Sequence, residues 1–136
     1  MRIEVLIPGE PVPQGRPRFA KTRYGVHTYE DEKSRAYKER VAACAKAAMR
    51  GMEPMEGALR VAIRTYRQYP KKLTKQQREH IGDLQPITRP DVDNLAKAVL
   101  DGMNGICYKD DARIVDLKVS KEYSDEPRVE VEITEG

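Results

Sequence analysis

The chain has 136 residues, 39% of them hydrophobic and 35% charged, enough for one core and one domain. The net charge of +3 is unevenly spread: residues 1–90 hold 19 Lys/Arg against 10 Asp/Glu, and residues 91–136 hold 6 against 12. There is no apolar run of about 18 residues, which excludes a membrane-spanning helix. Met1-Arg2-Ile3-Glu4-Val5 alternates and lacks the apolar block of a signal peptide. Cys44 and Cys107 form neither a CxxC nor a zinc pattern and read as two reduced, buried thiols of a cytosolic protein.

In chain order, the alternation of Ile3, Val5 and Ile7 predicts a strand over 2–7. Pro8, Pro11, Pro13, Gly15 and Pro17 then predict a long loop over 8–29. That loop carries Arg16, Arg18, Lys21 and Arg23, with Phe19 and Tyr24 interleaved. The four cations are candidates for nucleic-acid phosphates, and the two rings for wedging or stacking. The competing reading is a solvated basic loop whose Phe19 folds back on the core. A helix over 31–50 follows, with acids at its start and a stripe of Tyr37, Val41, Cys44 and Ala48. A strand is predicted over 58–66. Residues 67–89 form a basic connection with a short helix at 74–80, where Lys71, Lys72, Lys75 and Arg78 read as solvated surface.

The clearest helix has Val92, Leu95, Val99, Leu100 and Met103 on one face, with Gly105 as its stop. After Lys109-Asp110-Asp111, two alternating strands are predicted around Val115–Val119 and Val129–Ile133. Ser124-Asp125-Glu126-Pro127 between them predicts a hairpin. The fold class is α+β: one domain over residues 1–136, with a small mixed sheet of about four strands and two main helices.

The chemistry-bearing residues cluster around that last helix. Arg89-Pro90-Asp91-Val92-Asp93-Asn94-Leu95-Ala96-Lys97 places two carboxylates, an amide and a lysine within one or two helical turns, and Asp110-Asp111 returns after the helix reverses. Crowded carboxylates repel unless a cation lies between them. Hard oxygen donors in this number suit magnesium, with phosphate oxygens completing its shell. Lys97 supplies a fixed positive charge, and Arg89 either orients Asp91 or meets a phosphate. The residues alone leave a plainer reading open: Asp91 as an N-cap, Asp93 and Lys97 as an i,i+4 surface pair, and Asp110-Asp111 as a turn.

Arg89-Pro90-Asp91-Val92-Asp93-Asn94-Leu95-Ala96-Lys97-Ala98-Val99-Leu100-Asp101, followed by Tyr108-Lys109-Asp110-Asp111-Ala112-Arg113-Ile114-Val115, resembles the RusA family of Holliday junction resolvases. Ile7-Pro8-Gly9-Glu10-Pro11-Val12-Pro13 with Arg16-Pro17-Arg18 is also similar to members of that family. The resemblance implies a RusA-like fold and a homodimeric, magnesium-dependent endonuclease, with manganese able to substitute. Such an enzyme nicks symmetric strands of a four-way DNA junction in recombination and repair. It implies a cytoplasmic protein encoded by a bacterium or a prophage. Carried over residue by residue, catalysis falls on Asp91, Asp93, Lys97 and Asp111, and the metal on Asp91, Asp93 and Asp111. Asp101 fits the pattern as a supporting residue. Two opposed nicks need two sites, which a two-fold dimer supplies. The competing functions are a less selective nuclease of branched DNA and a junction-binding protein that does not cut; the presence of all four catalytic residue types disfavours the latter.

Overall fold

The computed structural model describes residues 1–15 and 18–136, and the side chain of Arg18 is not among what it describes. The elements run β1 (Arg2–Pro8), β2 (Arg18–Thr22), β3 (Gly25–Tyr29), α1 (Glu32–Met49), β4 (Leu59–Gln68), α2 (Lys75–Glu79), α3 (Val92–Met103), β5 (Ile114–Ser124) and β6 (Arg128–Glu135), with short 3-10 turns at Ile81–Asp83 and Asp111–Arg113. The expected α+β class holds. The main sheet has the order β1-β6-β4-β5, and β2 pairs with β3 in a separate two-stranded ribbon.

Aliphatic rows running across the sheet build the core. Ile3, Ile133, Val61 and Leu117 lie side by side in register, and so do Val5, Val131, Ile63 and Val119. A third row, Ile7, Val129, Thr65 and Lys121, becomes polar toward β5. All members of these rows on β1, β4 and β6 are buried. Alternation along each strand puts these residues on one face, which α1 and α3 cover, and leaves charged residues on the other.

The expected hairpin between the last two strands does not form. β6 pairs antiparallel with both β1 and β4, while β5 pairs parallel with β4 at the sheet edge. The three residues between β5 and β6 therefore cross the end of β4, a span of about 10 Å. Burial explains the choice. Val129, Val131 and Ile133 are all buried on β6, whereas Val115 and Leu117 of β5 are exposed. The more uniformly aliphatic strand takes the interior position.

The long loop expected over 8–29 also needs correction. Its second half is the ribbon β2–β3, folded back at Arg23-Tyr24. Residues 21–29 are exposed throughout, so the ribbon adds no buried face to the core.

α1 buries Tyr37, Val41, Ala45 and Met49, a stripe turned slightly from the expected one; Cys44 and Ala48 lie half-buried at its margin. Cys107 is buried as expected, and burial pushes its thiol up to about 11. α3 buries Leu95, Ala96, Ala98, Val99, Gly102 and Met103. The two helices touch closely at Gly102, where an added Cβ would lie 2.7 Å from Val41. α2 begins with a reciprocal capping box between Thr74 and Gln77, and its basic residues are exposed as expected.

Candidate active site

The segment entering α3 is held by its carbonyl groups. Arg67 of β4 donates to the Arg89 carbonyl at 3.0 Å, and Lys121 of β5 donates to those of Thr88 and Pro90 at 2.9 and 3.0 Å. Glu10 in turn pairs with Arg67 at 3.4 Å. Lys121 can do this because the register sets it beside Thr65, at the polar end of the third row. Sequence reading missed Lys121; its only signal is one cation at an inward-facing position of an alternating strand. Arg89 itself is exposed and makes no ion pair with Asp91.

Asp91 occupies the N-cap position of α3, yet its side chain accepts no capping hydrogen bond. Its carboxylate is therefore not committed to the structural role that its position suggests. Asp93, Lys97 and Asp101 follow at four-residue spacing on one face of the helix, and no ion pair joins Asp93 to Lys97.

The acidic pair after α3 is fixed by buried contacts. Tyr108 is fully buried, and its hydroxyl donates to the Leu100 carbonyl at 2.5 Å. The Met55 N–H donates to the Cys107 carbonyl and the Lys109 N–H to the Met55 carbonyl, at 3.0 and 3.1 Å. Asp110 caps the following 3-10 turn by accepting from the Ala112 N–H at 3.2 Å.

These anchors bring Asp93, Lys97, Asp101 and Asp111 to the wall of one open cavity of about 330 Å³. Val92, Ala96, Leu100, Leu117 and Val119 form the rest of the wall. Asp91 and Asp110 flank this group without lining the cavity. A larger groove of about 900 Å³ between β1 and α1 has Glu4 as its one acid, and in another of about 500 Å³ Glu4, Glu130 and Glu132 share the wall with Arg2 and Arg64.

The paired acids differ electrostatically. The Ala112 N–H, then a hydrogen bond from Asp111, hold Asp110 below the usual carboxylate range. The same bond raises Asp111, with further contributions from partial desolvation and from the charges of Asp110 and Asp101. A cation beside Asp111 would relieve that repulsion. The donor set fits a hard divalent ion: carboxylates only, with Asp93 and Asp111 on one wall and Asp91 not engaged in capping. Among the described residues no three potential ligands already converge as a metal cluster.

On the ribbon, Lys21 and Arg23 are exposed, and Phe19 and Tyr24 are 70% and 87% exposed. That excludes the reading in which Phe19 folds back on the core. Arg16 and the side chain of Arg18, the other expected DNA contacts, lie outside the described residues.

Residues 8–134 match the family of endodeoxyribonuclease RusA. The chain belongs to the RusA family. A Bacillus subtilis (strain 168) protein, "Uncharacterized protein YqaN", is 43% identical over 137 residues, covering 98% of this chain and 96% of that protein. Membership implies a Holliday junction resolving endodeoxyribonuclease. No helix of the described residues is long and apolar enough to cross a membrane.

Proposed function

We propose that this RusA-family chain is a magnesium-dependent resolvase that cuts four-way junctions by paired symmetric nicks, in recombination and repair. The observation that carries this reading is the shared cavity of Asp93, Lys97 and Asp111. Asp91, Asp93 and Asp111 would hold the divalent ion, magnesium or manganese. When bound, such an ion lowers the pKa of a coordinated water and offsets charge on the phosphate oxygens. Lys97 contributes a fixed cation facing the scissile phosphate. Asp110 caps its turn and so holds Asp111 at the cavity wall. Val92 and Leu117 give one side of the cavity an aliphatic wall.

The ribbon is the proposed DNA-reading element. Lys21 and Arg23 meet backbone phosphates, Phe19 and Tyr24 stack on bases exposed at the open junction, and Arg16, Arg18 and Arg89 add phosphate contacts. Paired nicks require two copies. β5 is the edge beside the cavity, and its exposed Val115 and Leu117 support a homodimer formed there. Antiparallel pairing of two β5 strands about Leu117 would set Asp116 of one copy opposite Lys118 of the other and Val115 opposite Val119. This register is self-complementary in charge.

The test offers four-way, three-way and linear DNA with and without magnesium, alongside light scattering of the protein. The reading expects a dimer that makes two symmetric nicks in the four-way substrate alone. Equal cutting of all branched substrates favours the less selective nuclease. Binding without nicks under any divalent ion, or a monomer at micromolar concentration, contradicts the proposal.

A further inference from the structure

Lys38 lies on α1, outside every motif that carries the family resemblance, yet it touches two functional regions at once. Its ammonium forms an ion pair with Glu30, the residue that follows β3. It also pairs with Asp101 at 3.4 Å, on the cavity wall. The Lys38 side chain is only 21% exposed, so these contacts are less screened than those of a solvated surface lysine. Glu30 is held below the usual carboxylate range, chiefly by Lys38.

The other root of the ribbon is fastened to the same two helices. The Gln14 N–H donates to the Asn94 carbonyl in the first turn of α3 at 3.0 Å. The Gly15 N–H donates to the buried Ser34 hydroxyl of α1 at 2.8 Å, and that hydroxyl donates to the Pro13 carbonyl at 3.3 Å. Residues 21–29 of the ribbon are exposed and add no buried packing that would orient it. Its pose relative to the cavity is therefore set at these roots. The close approach of α1 and α3 at Gly102 brings Lys38 within reach of Asp101.

We propose that Lys38 is a positioning residue that locks the β2–β3 ribbon to the cavity wall by bridging Glu30 and Asp101. Without the ammonium, two carboxylates face one another across its vacated place. The ribbon root then loosens, and Asp101 loses the contact that fixes it beside Asp111. This inference rests on the resolvase reading for its functional consequence and on the ion pairs alone for its mechanical one.

Lys38→Met keeps most of the stem and removes the charge, whereas Lys38→Arg keeps a cation able to span two carboxylates. Two readouts are compared in both variants: discrimination between four-way and linear DNA, as the ratio of kcat/KM values, and hydrogen exchange at Gln14, Gly15 and Glu30. The expected result for Lys38→Met is faster exchange at these amides and a loss of discrimination of about 2- to 30-fold, the range for a coupling residue that touches neither ligand. Lys38→Arg should restore both. Should Lys38→Met fail to fold, Glu30→Gln releases the ribbon while leaving the Asp101 pair in place, and it should show the same exchange change and lost discrimination. A lowered Tm with root exchange and discrimination unchanged overturns the proposal, as does Lys38→Arg behaving like Lys38→Met. If the wild type neither binds nor cuts branched DNA, the resolvase reading fails. The exchange comparison then decides the mechanical claim by itself.

Discussion

The wall of the cavity and the ribbon beside it are built on opposite physical terms. α3 is clamped by buried side chains: Leu95, Val99 and Met103 below, Gly102 against Val41, and Tyr108 bonded to the Leu100 carbonyl. The ribbon has five residue pairs in register and no buried side chain over residues 21–29. Chemistry that depends on the placement of carboxylates belongs on the first kind of element, whereas contact with a variable polyanion tolerates the second. The difference teaches where a substitution should act. Changes under α3 act through stability and geometry, while changes on the ribbon act through binding alone.

The largest separation is expected on the ribbon. Phe19→Ala with Tyr24→Ala should weaken junction binding by about 1–3 kcal/mol for each ring that stacks, as measured by titration with a labelled four-way junction. The same pair should change folding stability by no more than about 0.5 kcal/mol. A large loss of Tm would mean that the rings support the fold and would erase the contrast. Next, Gly102→Ala inserts a methyl group 2.7 Å from Val41 and should cost about 1–3 kcal/mol in denaturant unfolding. Its effect on junction binding should be the smaller of the two. A neutral result would show that α1 and α3 can slide apart.

α3 was legible in the sequence because its apolar period, its acidic start and its stop at Gly105 all agree. The same holds for β1, β4 and β6, whose alternation ends in burial. The ribbon was hidden for a physical reason. Residues 21–29 face water on both sides, so hydrophobic period carries no information there, and the proline run before the ribbon argues for irregular chain. The false hairpin has a different cause. Ser124 to Pro127 reverses the chain, but turn chemistry does not say which strand the returning segment will join. That is settled by Ile3, Val5 and Ile7 on one side and Val61 and Ile63 on the other, distant in sequence.

Of the site, Asp93, Lys97 and Asp111 were legible by residue type, and the fold does place them on one cavity. Their supports were not. Lys121 and Lys38 look like ordinary surface cations until the register of β5 and the approach of α1 to α3 bring them to their partners. Tyr108 lies within the motif, yet its role as the anchor of the acidic turn depends on a carbonyl eight residues earlier.

The central claim is that carboxylates from the helix and from the turn serve one reaction. Single-turnover cleavage of a four-way junction with manganese tests it most directly, using wild type, Asp93→Asn and Asp111→Asn. Each substitution should lower the rate by about 100-fold or more while junction binding is retained. Wild-type rates in either variant would contradict the account.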